Sequence, residues 1–183
     1  MPVISGASSG GSGPVVLFSS TLGADTASID TGAAGIAGGY SQIEVVILAR
    51  TDTAAVTDLI DFFVNNDNTA IYDNEQINGT NVTATIAPTL ADTRWQLVVH
   101  GATGSTGYPG AFRVLFPAYA ATTFWKFGVV HGGVIDQTAG NATTARVYTL
   151  GYRATPAITR CKIAAQSTAK LKAGSALTVY GYA

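Results

Sequence analysis

Beyond Tyr40 the chain is built from short apolar-rich runs divided by polar, glycine-rich stretches. "YSQIEVVILAR" (40–50) is β-branched and apolar, with Gly-Gly before it and "TDT" after it, and predicts a strand buried on both faces. "AVTDLIDFFV" (55–64) fits two periods. Val56, Leu59, Ile60 and Phe63 match a helix, while Ile60, Phe62 and Val64 match a strand, which is the preferred reading. "RWQLVVH", "FRVLFPAY", "TFWKFGVVH", "ARVYTLGYRA", "AITRCKIAA" and "ALTVYGY" are six further β-rich runs. Their alternation is seen in Trp95, Leu97 and Val99, in Phe112, Val114 and Phe116, and in Leu177 and Val179.

Between the first two strands and the rest lies "FFVNNDNTAIYDNEQ" (62–76). Its centre, Asn65 to Thr69, holds only polar, turn-tolerant residues. It predicts a reversing hairpin turn between a strand ending near Val64 and one starting near Ala70, with Asp67 and Asn68 bonding the backbone. The alternative is a cation site on Asp67, Asp73 and Glu75. The stretch does not match the EF-hand loop, which needs a glycine at its sixth position and a bidentate glutamate at its end.

About eight or nine strands in roughly 145 residues, with no long helix, predict an all-β chain: a single antiparallel β-sandwich of jelly-roll type. Residues 5–13, "SGASSGGSG", are of low complexity, and 19–39 stay rich in Gly, Ala, Ser and Thr. The expected division is therefore a flexible Gly/Ser-rich N-terminal arm over 1–40, held by a neighbouring chain, and a sandwich domain over 41–183.

Composition narrows the function. The chain has 183 residues, 47% hydrophobic and only 11% charged, against about 25% charged in an average domain. Such a surface suits packing against other protein. The net charge is −1 without a basic block, so neither nucleic acid nor an anionic membrane is an expected partner. No apolar run approaches the ~18 residues of a membrane span. The start has neither a charged n-region nor an apolar h-region, so no secretory signal is expected. The Asn-x-Thr triplets at Asn78, Asn81 and Asn141 then read as turn-rich sequence. The single cysteine, Cys161, excludes an internal disulfide and predicts a buried, inert thiol.

Candidate chemistry is sparse. "GASSG" (6–10) matches a nucleophile elbow around Ser8 but lacks the flanking strand and helix. His100 and His131 each end a predicted strand, with Asp92 or Asp136 as conceivable partners. No nucleophile or metal spacing accompanies them, so both are expected to face water or a neighbour. Tyr108, Trp125, Tyr148, Tyr152 and Tyr182 are candidate sugar-stacking aromatics. No catalytic, cofactor-binding or metal-binding residue is assigned, and no enzyme is expected.

Five segments then fall into a known order: "VVILAR", "LIDFFVNNDNTAIYD", "GAFRVLFPAYAATTFWKFG", "YRATPAITRCKI" and "AGSALTVYGY". From about Gln42 onward the chain resembles a family of small jelly-roll virion proteins of tailed bacteriophages. That family carries an "(I/F)NGD…NY" strand-turn-strand, an "IPDYA" segment, a "WRSTAAITRI" strand and a closing "GSxxSLYG". The matching positions are Asn66, Asp67 and Tyr72, then Phe116 to Ala120, then Tyr152, Arg153, Ala154 and Ala157 to Arg160, and finally Gly174, Ser175, Leu177, Tyr180 and Gly181. The resemblance implies a structural role on the phage particle. The leading expectation is a head decoration (cement) protein at the virion surface. Its partners would be the major capsid protein or other virion proteins and copies of itself, in a closed ring such as a trimer. The alternative expectation is a tail or fibre module binding host glycan.

Overall fold

The computed structural model describes residues 13–80, 83–104, 107–135 and 143–183, with Thr80 and Thr143 described by backbone alone. The candidates Ser8, Asn81, Asp136 and Asn141 lie outside the described residues.

Twelve strands and no helix appear among them: β1 (Val15–Thr21), β2 (Ser28–Asp30), β3 (Gln42–Ala49), β4 (Thr57–Val64), β5 (Tyr72–Thr80), β6 (Thr83–Asp92), β7 (Trp95–His100), β8 (Gly110–Pro117), β9 (Lys126–Ile135), β10 (Thr143–Tyr152), β11 (Cys161–Ala165) and β12 (Ala176–Tyr182). They form an antiparallel β-sandwich. One sheet has eight strands in the order β1-β12-β3-β8-β9-β10-β5-β6, and the other has four, in the order β2-β11-β4-β7.

The alternation read from sequence supplies the core. Ile43, Val45, Ile47 and Ala49 of β3, and Phe112, Val114 and Phe116 of β8, point inward from the large sheet. Ile60, Phe62 and Val64 of β4, and Trp95, Leu97 and Val99 of β7, face them from the small one. At the centre the Trp95 ring lies 5.6 Å from Phe62, 5.7 Å from Phe116 and, edge-on, 4.8 Å from Tyr72. Its Nε1 donates to Asp73 O at 2.9 Å, so the buried indole is satisfied.

Several expectations change. The stretch around Asn65 does turn the chain, with Asn65 and Asn66 left-handed at φ 54° and 53°, but it is not a hairpin. β4 pairs with β7 and β11 in the small sheet, whereas β5 pairs with β6 and β10 in the large one. The turn is a corner between sheets. β3 is buried on one face rather than both, since Val46 is half-buried and Leu48 exposed. β9 does not end at His131 but runs to Ile135. It crosses Gly132 because a Cβ there would sit 2.2 Å from Ala111 O and 2.3 Å from the Phe112 ring, so only glycine lets β8 and β9 approach this closely.

The expected arm over 1–40 fares differently in its two parts. Residues 1–12 lie outside the described residues. From Val15 the chain is already in the sandwich: β1 pairs with β12, β2 pairs with β11, and Ile29 and Ile36 are buried in the core. In sequence β2 is masked by the small residues around it, whereas β1 opens on Val15, Val16, Leu17 and Phe18.

Candidate interaction surface

The large sheet has an inner face against the small sheet and an outer face that no other element covers among the described residues. Its register fixes which outer side chains sit side by side. One row runs Val46, Arg113, His131, Val147, Ile77, Ile86 across β3, β8, β9, β10, β5 and β6. The row above it runs Glu44, Leu115, Val129, Thr149, Glu75, Pro88, and the row below Leu48, Ala111, Gly133, Ala145, Gly79, Ala84. Phe127 and Leu90 extend the face at one end, where they wall a depression floored by Gly151. Side chains that a monomer normally keeps polar are here Val, Ile and Leu. Ile86 and Leu90 are 71% and 75% exposed.

The face has one charged knot. Glu44 is buried beneath Arg113, whose Nε donates to it, and it also accepts the Tyr182 hydroxyl. The Arg113 bond, helped by Tyr182, holds the Glu44 carboxyl below its usual range despite burial. Gln42, Leu115, Val129 and His131 complete a shallow depression of about 450 Å³ around this knot. The Glu44 oxygens are already bonded, so the knot presents a guanidinium and an imidazole rather than a carboxylate pair suited to acid-base work.

A second exposed feature lies at the start of β9. Phe124 and Trp125 are 76% and 63% exposed, yet Lys126 beside them is buried. Its ammonium donates to Ala121 O, Phe124 O (3.1 Å) and Thr155 O (2.8 Å). Burial pushes the Lys126 pKa down. Three carbonyls stand in for a counter-ion, and the loop bearing the aromatic pair is thereby tied to the strand-linking segment at Thr155.

The predicted site residues scatter. His100 is buried rather than facing water. Its Nδ1 lies 3.4 Å from Val56 O, and the loop at 101–104 covers it so closely that a Cβ on Gly104 would fall 2.6 Å from that nitrogen. His131 is exposed on the outer face, and Asp92 bonds Thr93 N. Among the described residues neither histidine meets a nucleophile. Of the proposed sugar-stacking aromatics, Tyr148 and Tyr152 are core residues, Tyr182 bonds Glu44, and Tyr108 and Trp125 are exposed. Sequence reasoning missed Phe124, whose "TFWKF" context reads simply as a strand.

In the turn at Asn65 to Thr69, Asp67 Oδ1 accepts Thr69 N at 2.9 Å and Thr69 Oγ1 at 2.6 Å, as an Asx turn requires, and Oδ2 accepts the Tyr152 hydroxyl at 3.0 Å. Burial and the Asp67 charge push Tyr152 up to about 12. The second stabilising side chain is Asn65 rather than Asn68: it donates to Ala157 O and accepts from Thr159 N, both at 2.9 Å. Asp73 pairs instead with Arg153 at 3.1 Å and accepts Ala91 N. Among the described residues no group of three or more His, Cys, Asp or Glu side chains converges to hold a metal ion. Cys161 is fully buried and burial pushes its thiol pKa up.

In comparison with known proteins, no family model matches the chain, no curated protein matches its sequence and no solved structure matches its fold.

Proposed function

We propose that this chain is a structural protein of a tailed-phage particle, a head decoration subunit with a jelly-roll sandwich. The observation that carries the reading is the outer face of the large sheet. It is wide, apolar and poor in charge, the kind of surface that assembly subunits bury. The jelly-roll reading draws on strand order. Set aside the β5–β6 and β9–β10 hairpins, which widen the large sheet, and number the remaining eight strands along the chain. They lie in the orders 1-8-3-6 and 2-7-4-5, the arrangement of two interlocked Greek keys used by viral capsid and lectin domains.

Each contact with a shell can be weak, because tethering one part of a subunit raises the effective concentration of the next contact. Residues 1–12 would serve as one such tether. A second reading, a glycan-binding tail or fibre module, is favoured by one feature: Phe124 and Trp125 stand exposed on a loop pinned by Lys126. The deciding experiment is quantitative mass spectrometry of purified particles. A decoration subunit is expected at on the order of hundreds of copies per particle, as icosahedral repetition requires. Tens or fewer would overturn the decoration reading in favour of the fibre one.

A further inference from the structure

We infer that the outer face of the large sheet is a two-fold interface whose occupant is a second copy of this chain. The strands carrying it lie in the order β3-β8-β9-β10-β5-β6, so the line between β9 and β10 divides them into halves of three. The halves differ in relief. Val147, Ile77 and Ile86 stand proud on the β10-β5-β6 side, at 41%, 50% and 71% exposed. On the β3-β8-β9 side lies a depression of about 300 Å³ bordered by Val46, Leu48, Ala111, Arg113 and Gly132.

Turning a second sheet over about an axis along the strands, between β9 and β10, stacks β10 on β9, β5 on β8 and β6 on β3. By the register, Ile86 of one copy then lies over Val46 of the other and the depression beside it. Ile77 lies over the Arg113 stem, and Gly79 meets Ala111, so small residues oppose small ones and the sheets can close. Glu75 sits one residue pair along β5 from Ile77, within reach of the exposed Arg113 guanidinium on the other copy. Every contact occurs twice, as an isologous interface demands. An interface of standard size takes about 800 Å² from each partner, and the exposed large apolar side chains of this face, Ile86 and Leu90 above all, are there to supply it. The inference rests on the same face as the virion reading and gives it a second copy as occupant; pairing is measured on purified protein and copy number on particles, so either can fail alone.

The test begins with light scattering on the purified full chain. Two copies of the 18.7 kDa chain are expected, and a monomer at about 100 μM, which sets the weakest affinity worth considering, or a trimer would overturn the two-fold. The Ile77→Lys/Ile86→Lys variant alters side chains already half exposed or more, so its far-UV spectrum is expected to match the parent while its mass halves. A persistent dimer would overturn the surface assignment. Geometry is tested by Val46→Cys/Ile86→Cys under mild oxidation. Within one chain these positions are five strand spacings apart, about 24 Å, far beyond disulfide reach. A covalent dimer is expected from the double variant and from neither single one, and its failure to form would refute the stacking proposed.

Discussion

The Tyr72 hydroxyl, on the first residue of β5, sits against the backbone of Val64, the last residue of β4: it accepts Val64 N at 3.3 Å and lies 3.1 Å from Val64 O. It also reaches Asp67 O at 2.9 Å. One phenol thus ties the large sheet to the end of a strand in the small one and closes the corner between them. Burial pushes its pKa well up, as expected of a phenol kept protonated by its surroundings. Replacing Tyr72 by Phe keeps the edge-on contact with Trp95 and removes the bonds. A loss of about 1–3 kcal/mol is expected, read from the urea midpoint at unchanged slope; an unchanged midpoint would show that the corner closes without the hydroxyl.

The asparagines of the same corner separate backbone conformation from side-chain bonding. Both have positive φ, which glycine adopts without strain. Asn66→Gly is expected to leave stability within about 0.5 kcal/mol, because the Asn66 side chain is exposed. Asn65→Gly loses the bonds to Ala157 and Thr159 and should cost about 1–3 kcal/mol. EDTA should leave the melting temperature of the parent unchanged. A drop reversed by calcium would restore the cation reading of Asp67.

Lys126→Met retains the aliphatic stem but abandons three carbonyls at once. A destabilisation of about 1–3 kcal/mol is expected, together with faster proteolysis between Ala121 and Trp125. Equal proteolysis of variant and parent would show that the aromatic loop is held by other contacts.

Acid should unfold the protein through a small set of carboxylates. The Arg160 bond holds Asp30 low, the Arg113 bond holds Glu44 low, and Ala173 N with Lys172 holds Asp25 low. At Asp67 burial acts upward, but the bonds from Thr69 prevail and the net shift is downward. A carboxyl lowered by folding stabilises the fold above its unfolded value, near 4, and that stability is lost as pH falls through the folded value. Asp61 runs the other way: burial raises it, so folding takes up a proton there and gains stability as pH falls through its folded value. Denaturation midpoints should therefore drop below about pH 4. Asp61→Asn removes the opposing contribution, so its decline should begin at higher pH than the parent's; an identical or later onset would contradict the shift at Asp61.

How much of this was legible follows one rule. β3, β4, β7, β8 and β12 bury alternate apolar residues, so their pattern was readable. β5 inverts it. Asn74, Gln76 and Asn78 face inward, beyond the edge of the small sheet, while Glu75 and Ile77 face out. A reader assuming apolar-in sees no strand there. β6 carries Pro88, tolerated because β6 is an edge strand. The end of β9 hides behind Gly132 and Gly133, which look like a turn in sequence. The outer face was illegible for a related reason. Its residues come from six strands, and only the register places Val46 and Ile86 on one line.

Val15 pairs with Gly181, so the chain enters β1 beside the point where it leaves β12. A force applied to these two ends would act as on a zipper, peeling β1 from β12 one pair at a time rather than shearing the whole ladder at once. Such a joint is mechanically weak however stable the core. Load carried across the broad sheet face would instead require many contacts to break together.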